Sequence, residues 1–123
     1  MEKERWIVDG MNVIGSKPDG WWRDRQGAMR VLAERLGAWA EEREVTVVFD
    51  GRPFEVNVEG VRVEFATRRG PNAADDDIVR LVASDRNPSG LRVVTSDQAL
   101  SRRVRELGAE VVTSGSFRRR FDP

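Results

Sequence analysis

The sequence predicts an α/β protein, a three-layer α/β/α sandwich around a central, mostly parallel sheet, and three observations predict it. Short continuous apolar runs recur along the chain: residues 6–8 (WIV), 45–49 (VTVVF) and 91–95 (LRVVT). Between them lie longer segments whose apolar residues return at helical spacing. Strands buried on both faces read as continuous apolar runs, as parallel strands covered by helices must.

The elements follow in order. Residues 6–8 read as a buried strand ended by the turn pair Asp9-Gly10. A loop carrying Gly and Pro is expected over roughly residues 10–20. From Asp24 to about Arg43, the residues Ala28, Val31, Leu32, Leu36 and Trp39 define an amphipathic helix. Residues 45–49 form the second strand, again closed by Asp-Gly (Asp50-Gly51). Residues 54–65 alternate about Glu59-Gly60, as a hairpin or an edge strand would. Residues 68–72, Arg-Arg-Gly-Pro-Asn, make a basic loop, and a helix begins near Ala73 with Ile78, Leu81 and Val82 on one face. Residues 91–95 form the next strand. A helix spans residues 97–107, closed by Gly108. A last strand covers residues 110–113, followed by a Ser/Gly turn and a tail, residues 116–121, with three arginines between Phe117 and Phe121.

The 123 residues are one domain's worth. Apolar residues are 39% and charged residues 34%, a globular balance with a heavily charged surface. No apolar run approaches a membrane span of about 20 residues, and the charged start leads directly into a strand, so no signal peptide and a cytoplasmic location are expected. Cysteine, histidine and tyrosine are absent. Disulfides, thiolate zinc sites and all histidine chemistry are therefore excluded. With 21 basic and 21 acidic residues the net charge is zero, so any attraction for a charged partner must be local.

Parallel sheets build ligand sites outside the carboxyl ends of their strands. Asp9 ends the first strand, Asp50 the second, and Asp97 follows the strand at 91–95; Asp75, Asp76 and Asp77 open the helix after the third strand region. Each acid alone has an ordinary explanation, a turn residue or a helix cap. Their convergence on one edge does not. Close carboxylates repel unless a cation compensates, and an all-oxygen site suits Mg²⁺ or Mn²⁺. Other acidic-edge enzymes fit poorly. A receiver domain needs a lysine after its last strand, yet the only lysines are Lys3 and Lys17. A haloacid dehalogenase phosphatase needs Asp-x-Asp where this chain has Asp9-Gly10-Met11, and Gly10 and Gly15 are wrongly spaced for a dinucleotide fold.

Residues 7–15 (IVDGMNVIG) closely resemble the opening motif of NYN domains, specifically the YacP-like group of the PIN-like nuclease superfamily. Residues 47–51 (VVFDG), 74–78 (ADDDI) and 94–97 (VTSD) resemble its later motifs, in order, over nearly the whole chain. The resemblance implies strand order 3-2-1-4-5 and metal-dependent cleavage of RNA leaving 5′-phosphate and 3′-hydroxyl ends. It implies Asp9, Asp75 and Asp97 as catalytic, metal-binding acids, with Asp76 the neighbouring candidate because the Asp triplet leaves the helical register open by one. Asp50 is a further metal candidate or a support for the others. Asn12 would orient Asp9 or a phosphate, although it fits a left-handed turn position equally well. Ser96 would support Asp97 or the metal, or merely cap its helix. One departure is Met11, where the family usually has an aromatic; that bears on substrate preference.

A polyanion approaching an acidic pocket needs cations, and single strands also stack on aromatic rings. Candidates are Arg68 and Arg69 beside the Asp-bearing helix, Trp22 in the first loop, and Arg118, Arg119 and Arg120 in the tail. The expected partner is single-stranded RNA of messenger, ribosomal or transfer type; a ribosome contact or a homodimer is not legible. Two rival expectations are an inactive RNA-binding or adaptor module and a DNA-directed structure-specific nuclease.

Overall fold

The computed structural model describes residues 3–70 and 72–121. Met1, Glu2, Pro71, Asp122 and Pro123 lie outside the described residues, as does the side chain of Phe121, so the proline of the basic loop and the second aromatic of the tail are not placed. The strands Arg5–Asp9 (β1), Glu44–Phe49 (β2), Val61–Phe65 (β3), Leu91–Val94 (β4) and Glu110–Val112 (β5) form one sheet. Its order is β3-β2-β1-β4-β5, and every pairing is parallel. The helices Gly10–Gly15 (α1), Arg25–Ala40 (α2) and Ser114–Phe121 (α5) cover one face; Ala73–Ala83 (α3) and Gln98–Glu106 (α4) cover the other. Side chains alternate between two cores accordingly. Trp6, Val8, Val47 and Phe49 pack with Leu36 and Phe117, while Ile7, Val48 and Val93 pack with Ile78 and Leu100.

Several expectations need correction. The first half of the expected loop at 10–20 is helix α1. It can begin directly on the sheet because residue 10 is glycine: a Cβ there would lie 2.4 Å from the Phe49 ring and 3.0 Å from the Val48 carbonyl oxygen. The apolar stripe of α2 is Met29, Leu32, Ala33, Leu36 and Ala40, whereas Val31 faces outward and is 49% exposed. No hairpin forms. Residues 50–60 cross back over the sheet without a helix, and β3 is an edge strand parallel to β2. The crossing is close because Gly37 of α2 has no side chain; a Cβ there would meet Val58 at 2.6 Å and the Glu59 carbonyl at 2.9 Å. The Ser/Gly turn and the tail are together helix α5, Ser114–Phe121. It is anchored by Phe117, fully buried with its ring 5.7 Å from Trp6 and 5.1 Å from Trp39.

Candidate active site

The parallel register brings the acids together. Asp9 is opposite Val48 and Val8 is opposite Val94, so Asp9 is level with the ends of both neighbouring strands. Asp50 is the first residue beyond β2, and Thr95, Ser96 and Asp97 are the first three beyond β4. Because β3 is also parallel, its end delivers Thr67 and Arg68 to the same edge.

Asp9 is buried, 5% exposed, and accepts a hydrogen bond at Oδ2 from the Thr95 hydroxyl at 2.8 Å. Burial pushes its carboxyl up to about 7; the Thr95 bond opposes this, and the charges of Asp75, Asp50 and Asp97 add to it. Burial likewise raises Asp75 to about 6, reinforced by Asp97, Asp50 and Asp76 and opposed by Arg103. The four acids therefore share one electrostatic pocket. Asp50 also holds a helix: its Oδ1 accepts from the Ala74 backbone N–H at 2.8 Å. That donor belongs to the first turn of α3, whose own N-cap, Asn72, is left-handed and makes no side-chain cap bond. Asp97 caps α4, accepting from the Leu100 N–H at 2.8 Å. Capping and proximity to the other acids thus coexist in one side chain.

Successive helical residues point about 100° apart at 3.6 residues per turn, and this resolves the Asp triplet into three environments. Asp75 is turned toward the other acids. Asp76 faces outward and pairs with Arg68 and, at 3.2 Å, with Arg103. Asp77 is buried, accepts from the backbone N–H of Thr67 at 2.9 Å and its hydroxyl at 3.1 Å, and pairs with Arg80. It ties the loop after β3 to α3.

Asn12 lies in α1, so it is not the left-handed turn residue its sequence context also allowed. Its Oδ1 accepts from the Ser96 N–H at 2.8 Å and the Ser114 hydroxyl at 2.6 Å. The Ser96 hydroxyl in turn accepts from the Ser114 N–H at 2.9 Å. Ser96 thus joins α1 and α5 to the edge of the site; its hydrogen bonds go to Asn12 and Ser114, not to the Asp97 carboxylate.

The expected RNA-contacting residues do not form one surface. Arg68 stands by the site but is ion-paired to Asp76, and Arg69 beside it is exposed. Trp22 is 54% exposed, with Arg23 6.0 Å from its ring. Arg118 donates to the Val13 carbonyl at 2.8 Å. Arg120 lies 5.3 Å from the Trp6 ring, three residues before Asp9 on β1, or about 10 Å along a strand. Arg119 is exposed on the same helix. Helix α5 therefore carries Arg120 away from the acidic edge.

Three residues at the site received no role from the sequence, although Thr95 falls within the motif at residues 94–97. Thr95 was hidden within an apolar strand run, Ser114 within an apparent Ser/Gly turn, and Arg103 among the other arginines of α4. Only the first left a signal, a hydroxyl closing a buried strand two residues before Asp97.

Among the described residues, no three carboxylates are placed so as to close on one ion. The donor chemistry nevertheless fits a hard divalent cation. The pocket is all oxygen, and burial and mutual repulsion hold two of its acids well above the usual carboxylate range.

The sequence model of the YacP-like NYN domain matches residues 6–123. Two crystal structures share the fold. Rae1 (YacP) from Bacillus subtilis superposes with a TM-score of 0.79 at 23% identity, covering 99% of this chain and 74% of that one. A mutant of the same protein gives 0.81 at 23% identity, covering 97% and 75%. No curated protein matches the chain.

Proposed function

The chain belongs to the YacP-like NYN domain family, a PIN-like nuclease family, and on that premise we propose that it is a metal-dependent endoribonuclease acting on single-stranded RNA. One observation carries the reading: Asp9 and Asp75, from a strand end and a helix start far apart in sequence, share a pocket in which burial, reinforced by the charge of the neighbouring acids, raises their carboxyls to about 7 and about 6. A fold gains no stability from such repulsion, whereas a cation site requires it.

Asp9, Asp75 and Asp97 would hold Mg²⁺ or Mn²⁺, with Asp50 and Asp76 adjoining. The bound ion would supply Lewis acidity toward a phosphate oxygen and a more acidic water. The chain's own residues do the rest. Thr95 fixes the Asp9 carboxylate through Oδ2. Asp50 sets the start of α3 and so the place of Asp75. Two donors engage the Asn12 oxygen, which leaves its amide N–H groups to meet a phosphate. Arg103 and Arg68, gathered by Asp76, put positive charge next to the acids. With no histidine in the chain, proton transfer falls to carboxylates and water.

The test is cleavage of a labelled single-stranded RNA by the purified protein with Mn²⁺, with EDTA, and with Asp9→Asn. Metal-dependent cutting lost in the variant is expected. Undiminished cutting by folded Asp9→Asn would refute the site; binding without cleavage would favour the adaptor reading.

A further inference from the structure

A groove of about 600 Å³ opens directly off the candidate site, between α4 and β5. Thr95 and Ser96 form its inner end, and these are the residues that hold Asp9 and Asn12. Gln98, Arg102, Arg105, Glu106, Val111 and Thr113 continue the lining outward. We propose that this groove is the track for the backbone of the RNA strand on one side of the cleaved phosphate, gripped by Arg102 and Arg105. The proposal rests on the reading of the chain as an endoribonuclease.

The arginines carry the argument. Arg5, Arg43, Arg62, Arg68, Arg80, Arg92 and Arg103 each pair with an acid. Arg102 and Arg105 pair with no acid among the described residues, as is also true of other surface arginines such as Arg69; what distinguishes these two is that they are exposed and line the groove beside the site. At i and i+3 on α4 they are neighbours on the helix surface, with about 5–6 Å between their Cβ atoms. A guanidinium fork suits the non-bridging oxygens of a phosphodiester. The nine residues of α4 extend roughly 13 Å at 1.5 Å each, enough for more than one phosphate. Apart from Val111 the neutral lining is hydroxyl and amide, and the two arginines outnumber Glu106, the one acid that lines the groove, so the track as a whole is cationic and polar enough for a phosphate backbone. Since the chain has no net charge, a cationic track adjoining an acidic pocket is what lets a polyanion reach those acids.

The experiment compares the parent with Arg102→Gln/Arg105→Gln, both in an Asp9→Asn background, by fluorescence anisotropy. The probes are single-stranded RNAs extended stepwise to the 5′ or the 3′ side of the cleavage position, and DNA strands of the same sequences. Extension on one side is expected to tighten parent binding, and the double variant should lose that gain. Its slope of log K against log salt should flatten by about 1.4, or 0.7 for each phosphate no longer neutralised. Both sites are exposed, so the thermal midpoint should stay unchanged. Equal binding and slope in the double variant overturns the groove, while cleavage by the wild type would still uphold the nuclease reading. Loss of binding in the double variant when the wild type cuts nothing upholds the groove and refutes the chemistry. An equal gain for DNA overturns RNA as the occupant.

Discussion

The hydroxyl of Thr95 donates to Asp9 Oδ2 at 2.8 Å and, at the same oxygen, accepts the backbone N–H of Asp97 at 3.1 Å. One buried side chain thus ties the acid that ends β1 to the start of the helix that carries another. Replacing it by valine keeps the shape and removes both bonds. Thr95→Val should cost about 1–3 kcal/mol by stranding the Asp9 oxygen. It should also raise the Asp9 pKa further, since the Thr95 bond is what lowers it. The acid limb of the pH–rate profile should then move to higher pH. Cleavage with an unshifted limb would show that Asp9 does not govern that titration.

Stability without metal should depend on pH in an unusual direction. Asp9 rises to about 7 and Asp75 to about 6 from an ordinary 3.8. Between those values the folded chain holds protons that the unfolded chain releases. The pair's contribution is thus full at about pH 4 and is lost as pH rises through 6 and 7, by an amount on the order of a few kcal/mol. Asp9→Asn should abolish most of this slope and stabilise the metal-free protein at pH 7.5. Mn²⁺ at a hundredfold over its dissociation constant should add about 2.7 kcal/mol at pH 7.5 and less at pH 5, where protons compete. Urea midpoints at the two pH values, with and without Mn²⁺, check both signs.

The Asp triplet should divide by function. Asp75→Asn should remove cleavage and relieve repulsion. Asp77→Asn should cost about 1–3 kcal/mol, because the amide keeps one of the two oxygens that Thr67 and Arg80 share and turns an NH2 donor toward their donors, yet retain metal-dependent cleavage below its lowered melting point. Asp76→Asn should free Arg68 and Arg103 and change the salt dependence of RNA binding more than stability, since exposed pairs contribute about 0–1 kcal/mol. Equal loss of activity in all three folded variants would contradict this division.

Gly10→Ala should be costly although alanine favours helices. The added methyl would meet the Phe49 ring, which is fully buried, and the backbone of Val48. About 1–3 kcal/mol of overpacking is expected, with α1 displaced and Asn12 drawn from Ser96 and Ser114. Calorimetry and the activity of the folded fraction read out the two effects separately.

The sequence alone determined the layered α/β class, the edge on which Asp9, Asp50, Asp75 and Asp97 would meet, and the family. The first two depend on local signals, apolar runs, helical periodicity and acids placed just after strands; the family depends on the resemblance of the motifs at residues 7–15, 47–51, 74–78 and 94–97. Tertiary structure decided what the same residues do beyond that. A buried Phe117 made a helix of the arginine tail and carried Arg120 away from the site, because burying one aromatic between Trp6 and Trp39 outweighs the weak local preference of a Ser/Gly turn. Parallel pairing of β3, set by a crossing that needs Gly37, brought Thr67 and Arg68 to the acidic edge where a hairpin would have sent them elsewhere. The partners of Asp77, Asn12 and Thr95 are 10, 84 and 86 residues away. No local pattern encodes hydrogen bonds of that kind; they exist only once the sheet has set its register.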